Sequence, residues 1–386
     1  TRRLSMSKAA ELAKMGEVLT NGQIGGRRNI FINGAMQVSQ RATSFTFAHD
    51  GTTNAYTLDR WQWQMHNTDE LDGTITQDSD APNGFRNSYK WATGTAESAI
   101  ATDEFVAFRQ NVEAQDLQQL KYGTADAETL TISFYVKSSV TGTYGLSLYK
   151  PDQTARSNNK TYTIDSANTW EFKTVTFPAD TGGGGIDDDT GNGMSVYWVL
   201  ATGATYGGTN SSGAWINNST ASFFGGHAQD GVITTASATW LITGVQMEVG
   251  STSTPFEHRS FGEELQLCQR YYYERMGAGT ALAVSGGQFQ WVMSGLAYNT
   301  TLGIGGLSFP TPMRTTPTLG YSNVGHFVKQ TAGRGDYVTG LNLYDGVENA
   351  TTTTAYIQFN TSTSTAGGAQ MTTESSSARL NFDAEL

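Results

Sequence analysis

Between residues 29 and 254 the chain consists of short runs rich in Val, Tyr, Trp, Phe and Thr, separated by clusters of Asp, Asn, Gly, Pro and Ser. In the run YTLDRWQWQMH, Trp61, Trp63 and Met65 alternate with polar residues, which is the pattern of a half-buried β-strand. No long helical pattern interrupts these runs, so the sequence predicts antiparallel sheets arranged as a sandwich or a barrel. The tryptophans in strand patterns are expected in the core: Trp61, Trp63, Trp91, Trp170, Trp198 and Trp240.

Composition and charge exclude several classes of protein. The formal net charge is -11, which argues against nucleic acid as a partner, because binding to phosphates needs clustered Lys and Arg. No apolar run is long enough to span a bilayer, so no membrane insertion is expected. Cys268 is the single cysteine, so no internal disulfide is possible, and stability must come from core packing or from oligomerisation.

Residues 4–19 carry the best helical pattern near the start of the sequence. Apolar residues from Ala9 to Leu19 recur at helical spacing, with Lys and Glu between them. A helix of about four turns is marginal on its own in water, so we expect it to pack against its own copies or against a docking surface. We predict that residues 1–28 form an N-terminal helical segment for attachment to other proteins.

Two β-rich regions of different composition are separated by the stretch from Pro255 to Arg275, PFEHRSFGEELQLCQRYYYER. It is the densest cluster of charged and aromatic residues in the chain, and its Glu263 and Glu264 suit a helix N-terminus. We predict a junction of a short helix and a strand over residues 262–275. The residues expected to form this junction and to contact other copies of the chain are His258, Leu265, Cys268 and Tyr272.

Four blocks of the sequence carry a resemblance to known proteins. They are GRRNIFINGAMQVSQR (26–41), ITGVQMEVGSTSTPFEHRSFGEELQLCQRYYYE (242–274), FPTPMRTTPTL (309–319) and FDAEL (382–386). In this order they resemble a family of bacteriophage tail-fibre and related virion proteins. The resemblance implies a mainly β chain, with a jelly roll similar to carbohydrate-binding modules over residues 29–261. It also implies a smaller β-sandwich domain over residues 276–386 at the distal end, and assembly as a homotrimer.

Aromatic residues in polar surroundings are the candidates for glycan binding. Sugar sites stack ring faces on Trp and Tyr and fix hydroxyl groups with polar side chains. The candidates are Tyr206, Trp215, Tyr321, Tyr337 and Tyr344. A packing role is the open alternative for each of them, because aromatic side chains in β domains more often fill the core.

An acidic loop is the candidate metal site. Asp187, Asp188 and Asp189 follow Gly182–Gly185, and oxygen-rich loops of this kind bind Ca²⁺. The spacing does not match an EF-hand loop, and a solvated acidic loop is the alternative. A structural calcium at these three residues is therefore the one cofactor that we consider.

The sequence singles out no catalytic group. Glycoside hydrolysis needs two carboxylates across a cleft, and no acidic pair stands in a pattern that marks it. The chain has no G-x-S-x-G motif for acyl transfer, and its histidines lack the spacing of metal ligands. We therefore expect a protein that is not an enzyme.

The leading hypothesis is a homotrimeric fibre of the phage virion, assembled in the host cytoplasm. Its N-terminal segment would attach to other tail or head proteins, and its β domains would bind a polysaccharide of the host surface. Several weak sugar sites in one trimer would raise the avidity. Two alternatives stay open, namely a structural connector of the virion without a receptor role, and an enzyme that depolymerises polysaccharide.

Overall fold

The computed structural model describes residues 28–48, 51–209, 213–226, 230–276, 290–297, 299, 301–331, 334–343, 351–361, 367–373 and 378–386. The chain divides into two compact units, Thr1–Ser260 and Phe261–Leu386. The predicted helix at residues 4–19 lies outside the described residues. None of the helices in the described ranges has both the length and the apolar character needed to cross a membrane.

The described part of the first unit contains two antiparallel sheets. Across the six-stranded sheet the order is β1 (Ser44–Phe47), β4 (Gly73–Asp78), β5 (Ser88–Thr93), β13 (Thr239–Val249), β7 (Leu130–Ser138) and β10 (Glu171–Phe177). Across the seven-stranded sheet the order is β12 (Ile216–Asn217), β9 (Arg156–Ile164), β8 (Gly142–Lys150), β11 (Asn192–Thr202), β6 (Phe105–Glu113), β3 (Gln62–Thr68) and β2 (Gly51–Tyr56). Helix α1 (Ala204–Gly207) and 3₁₀ helices at Ala114–Leu120 and Thr220–Ser222 lie in the connections.

The strand order is that of a jelly roll. Strands β5, β13, β7 and β10 are neighbours in one sheet, while β6, β11, β8 and β9 are neighbours in the other. The chain therefore crosses repeatedly from sheet to sheet, and two Greek keys close the sandwich. The remaining strands extend these two sheets at their edges. This confirms the prediction of an antiparallel jelly-roll sandwich.

Large aromatic side chains fill the space between the two sheets. Trp63 and Met65 of β3 lie in the core, as predicted, but β3 is not the half-buried strand that the pattern predicts, because Gln62 and Gln64 on its other face are buried as well. Trp61, Trp91, Trp198 and Trp240 are also fully buried. The prediction for Trp170 is wrong, because this half-buried ring precedes β10 and its Nε1 donates to Asp80 Oδ1 at the surface (3.0 Å). Trp170 occupies the end of a turn, where a strand pattern no longer fixes which way a side chain faces.

A buried ion pair anchors the glycine-rich loop Gly182–Gly185. The side chains of Lys150 and Asp180 have no exposed area, and their charged atoms are 3.8 Å apart. Arg156 Nε lies 3.0 Å from Asp180, and Lys150 Nζ donates to the carbonyl of Gly184 (2.7 Å). Burial raises the pKa of Asp180 and lowers the pKa of Lys150, because the low-dielectric interior penalises both charged forms. The tetraglycine thus serves to bring backbone carbonyls onto a buried lysine.

The second unit begins with helix α2 (Phe261–Gln269) and contains two β assemblies in its described part. A three-stranded sheet has the order β14 (Tyr272–Met276), β22 (Arg379–Asp383) and β17 (Thr318–Tyr321). A closed barrel consists of β15 (Gln290–Ala297), β16 (Leu302–Ser308), β20 (Thr354–Thr361), β19 (Arg334–Leu343), β18 (Phe327–Thr331) and β21 (Gly367–Thr373). A 3₁₀ helix at Val324–His326 precedes β18.

The closed barrel replaces the smaller sandwich that the sequence predicts for this region. Glycines on β15 and β16 allow the strong coiling that closure requires. A Cβ atom at Gly295 would lie 2.0 Å from the carbonyl oxygen of Ile304, and one at Gly303 would lie 2.2 Å from the ring of Phe359. The glycines of this region therefore mark places where another strand approaches closely. The alternation of apolar and polar residues in the sequence does not reveal these close approaches.

The predicted junction residues lie in both units. In the second unit, Glu263 and Glu264 stand in the first turn of α2, as predicted. Cys268 and Tyr272 are buried, and their contact with other copies of the chain stays a prediction. Leu265 is half-buried on the same helix. In the first unit, His258 is exposed and packs on the rings of two residues, Phe85 and Phe256.

Arg314 joins three of the sequence blocks in the second unit. Its Nε donates to the carbonyl of Ala384 and its Nη2 to that of Glu385, both at 2.7 Å. Its backbone N–H donates to the carbonyl of Arg270 (2.7 Å), and the N–H of Ala384 donates to that of Tyr271 (2.8 Å). The blocks PTPMR, FDAEL and QRYY are thus held together by hydrogen bonds to main-chain atoms.

The substitution Arg314→Ala is expected to destabilise the second unit by about 1–3 kcal/mol, because it leaves two partly buried carbonyls without their donor. The measurement is urea denaturation of the whole chain, followed by circular dichroism. Thr318→Ala is the matched control, since the exposed Thr318 hydroxyl donates only a longer hydrogen bond (3.3 Å) to the carbonyl of Asp383 in the same unit. Equal urea midpoints for the two variants would contradict this role of Arg314.

Candidate functional site

The outer surface of the seven-stranded sheet carries an aligned set of polar and aromatic side chains. Because Trp63 and Met65 face the core, the alternating residues of β3, beginning with Gln62, face outward. The register places Gln62 opposite Arg109, and Arg109 opposite Tyr197. A cross-strand row therefore runs over β2, β3, β6, β11 and β8 through Tyr56, Gln62, Arg109, Tyr197 and Ser147.

A second row lies beside the first. The register aligns Asn111 on β6 with Ser195 on β11, and Ser195 with Tyr149 on β8. We refer to the outward-facing residues Tyr56, Gln62, Arg109, Asn111, Tyr149, Ser195 and Tyr197 as the Arg109 surface.

Hydrogen bonds fix the side chains of the Arg109 surface. Arg109 Nε donates to Gln62 Oε1 (2.5 Å) and Arg109 Nη1 donates to Tyr197 Oη (2.6 Å). In the second row, Ser195 Oγ donates to Asn111 Oδ1 (2.7 Å). These contacts tie the polar groups to the rigid strands, which is the preorganisation that a binding site requires.

Part of the Arg109 surface is open to a ligand. Gln62, Asn111, Ser195 and Tyr197 are buried, whereas Tyr56, Arg109 and Tyr149 are half-buried. Burial raises the pKa of Tyr149, with a smaller contribution from the neighbouring Tyr197. Tyr149 therefore stays protonated at neutral pH, and its hydroxyl can both donate and accept a hydrogen bond.

The adjacent half of the same sheet is covered by the chain. The segment that follows β11 places Tyr206, Phe223 and Phe224 over Ala107 and Val199. Phe223 also packs against Tyr149, with ring centroids 5.0 Å apart. Phe223 and Phe224 also pack on Tyr197, with ring centroids 5.4 and 5.3 Å away, so this cover extends onto one edge of the Arg109 surface and buries Tyr197.

The structure places two of the predicted glycan-binding residues in packing contacts. Tyr206 Oη and His66 Nε2 are 2.9 Å apart in a hydrogen bond, and the two rings meet edge to face. Trp215 Nε1 donates to the carbonyl of Pro178 (2.8 Å), and its ring packs edge to face on Tyr122. Neither residue belongs to the Arg109 surface, and a sugar contact by either one stays a prediction.

The other three candidates belong to the second unit. Tyr321 lies on the edge strand β17 with 42% of its side chain exposed. Tyr337 lies within β19, and Tyr344 is outside the described residues. The structure therefore does not bring these three tyrosines together into one described site.

The acidic loop is held by hydrogen bonds of its own. Gln153 Nε2 donates to Asp187 Oδ1 (2.7 Å), and Asp189 Oδ1 accepts from the N–H of Gly191 (2.8 Å). Over the described ranges, no group of three or more His, Cys, Asp or Glu side chains converges on a point suited to a metal ion. Binding of calcium by Asp187, Asp188 and Asp189 with other oxygen ligands stays a prediction.

Sequence reasoning missed the Arg109 surface. The alternation in EFVAFRQNVE marks Arg109 and Asn111 as outward-facing. It does not show that Tyr197 lies opposite Arg109, because strands β6 and β11 are far apart in the sequence. Non-local strand pairing was the missing information.

No protein-family model matches the chain, and no curated protein matches it by sequence. Among solved structures, the chain is similar to the enzymatically active domain of tailspike protein 4 from bacteriophage CBA120, at 14% identity and a TM-score of 0.29. That match covers 57% of this chain and 21% of the tailspike chain. A putative sugar-binding protein from Bacteroides thetaiotaomicron matches at 11% identity and a TM-score of 0.29, over 57% of this chain and all of the other.

A family 11 carbohydrate-binding module of a Clostridium thermocellum cellulase matches at 13% identity and a TM-score of 0.27. The match covers 53% of this chain and 97% of the module. These values are too low to assign the chain to a family or to transfer a function to it. Membership of the tail-fibre family stays a prediction from the sequence blocks.

Proposed function

We propose that this protein binds glycans non-covalently and that the Arg109 surface of the jelly roll is the binding site. The alignment of Gln62, Arg109 and Tyr197 across three neighbouring strands carries the proposal. Fixed amide, guanidinium and hydroxyl groups match the hydroxyl pattern of a sugar. The half-buried ring of Tyr149 supplies an apolar face beside them.

The protein acts as a homotrimeric fibre of a bacteriophage virion in this proposal. The four sequence blocks support the virion assignment, and the N-terminal segment attaches the fibre to tail or head proteins. Each copy contributes one weak sugar site, and simultaneous binding raises the avidity through effective concentration. Sedimentation of the intact chain tests the trimer, because a species of 41.6 kDa would be a monomer.

The glycan site is proposed to bind without catalysis. A depolymerase would release reducing ends from a bacterial polysaccharide, whereas a binding protein leaves the polymer intact. A virion connector would bind a purified tail or head protein and no glycan. The same preparation can be assayed for all three activities, so the alternatives are distinguishable.

A glycan array of bacterial capsular and O-antigen polysaccharides tests the proposed site. We expect saturable binding that Tyr149→Ala weakens roughly 2- to 10-fold, because one aromatic contact is lost. The control is Phe172→Ala, which removes a half-exposed ring from β10 of the other sheet. Absence of binding by the folded wild-type chain, or equal binding by both variants and wild type, would overturn the proposal.

A further inference from the structure

Arg109 is a fixed arginine, and the described residues place no carboxylate beside it. Its side-chain contacts in the described part of the chain are to Gln62 and Tyr197, and both are neutral. The guanidinium carbon also lies over the ring of Tyr197, 5.4 Å from its centroid. The positive charge is thus held in place, and no acidic side chain in the described ranges neutralises it.

Two largely buried arginines of the first unit are, by contrast, paired with acids. Arg156 lies 3.0 Å from Asp180, and Arg259 lies 3.5 Å from Glu257. The whole chain has a net charge of -11, so acidic partners are abundant. Arg109 lies at the centre of the proposed binding surface with no such acid among the described residues, and this calls for a separate explanation.

The geometry leaves part of the guanidinium available to a ligand. Nε and one N–H of Nη1 are used by the two neutral acceptors, whereas no protein acceptor within the described ranges uses Nη2. Because Arg109 is half-buried, a ligand can reach it while bulk water only partly screens it. The planar group is also held in one orientation, so a ligand loses little additional side-chain entropy on binding.

We infer that the Arg109 surface selects acidic glycans and that Arg109 binds the carboxylate of a uronic-acid-type sugar. This inference rests on the proposed glycan-binding function. A charge-assisted hydrogen bond to a carboxylate is stronger than one to a sugar hydroxyl. The neutral partners Gln62 and Tyr197 position the guanidinium without competing for its charge. Neutral hydroxyls of the same glycan would meet the half-buried Tyr149.

The test compares an oligosaccharide rich in uronic acid with the same oligosaccharide after its carboxyl groups are reduced to alcohols. Titration calorimetry at low salt is expected to give at least about 10-fold tighter binding of the acidic form, the gain of one charged hydrogen bond. Arg109→Gln should abolish this preference, so that the acidic and the reduced forms bind with equal affinity, even if both bind more weakly than to the wild type because Arg109 belongs to the binding surface. Arg109→Lys should retain part of the preference, because it keeps the charge and loses the planar fork.

Arg86→Gln is the matched control, because it removes an exposed arginine that precedes β5 of the other sheet. It should keep the full preference for the acidic form. Raising the salt concentration should reduce the preference of the wild type.

Equal affinities of the wild type for the acidic and reduced forms, or an unchanged preference in Arg109→Gln, would overturn the inference and leave the proposed glycan binding intact. Failure of the wild type on the entire glycan array would instead remove the proposed function on which the inference rests.

Discussion

The substitution Asp180→Ala is expected to lower the free energy of unfolding of the first unit by about 3–5 kcal/mol, because it leaves a buried cation without its partner. Lys150 has no exposed side-chain area, and Arg156 keeps only 15% of its own. The carbonyls of the glycine-rich loop would still face Lys150, but they supply partial charges and no counter-ion. Urea denaturation followed by circular dichroism measures the change.

Two variants separate the buried charge from other effects of Asp180→Ala. Asp165→Ala removes the exposed partner of Lys173, which lies 3.2 Å away, and should change stability by less than about 1 kcal/mol. The double variant Lys150→Met with Asp180→Asn removes both buried charges, so it should recover part of the loss. If Asp180→Ala unfolds at the same urea concentration as Asp165→Ala, the ion pair does not have this role.

The jelly roll was predictable where a strand has one buried face. On β3 the alternation predicts that Trp63 and Met65 enter the core, and they do, although Gln62 and Gln64 on the other face are buried as well. The acids at the start of α2 likewise follow from the preference of carboxylates for a helix N-terminus. Both signals are local, which is why they can be read from one segment of sequence.

The features that the sequence did not reveal depend on contacts between distant segments. Arg109 acquires its neighbours only when β6 pairs with β3 on one side and β11 on the other. Gly182–Gly185 looks like a flexible loop, yet its carbonyls surround Lys150. The same limit explains the barrel, because closure depends on the pairing of β15 with β21 at the other end of the second unit's sequence.

The substitution Trp198→Ala is expected to destabilise the first unit by about 3–5 kcal/mol, the range for removing a large aromatic side chain from a packed core. Trp198 is fully buried on β11 and faces the core, next to Tyr197 on the same strand. Its ring centroid lies 5.7–5.9 Å from four others, those of Phe31, Trp61, Phe108 and Phe134.

No single neighbour of Trp198 can fill the space that the smaller residue would leave, because each is held by its own strand or segment in a closely packed interior.

Trp170→Ala is the matched control, since that half-buried ring lies outside the core and should change stability by about 1 kcal/mol or less. Urea denaturation read by circular dichroism compares the two variants without relying on tryptophan fluorescence. Because Trp198 supports β11 from below, the loss should also weaken glycan binding at the Arg109 surface. Equal stability of the two variants would mean that the aromatic cluster is not the main support of the sandwich.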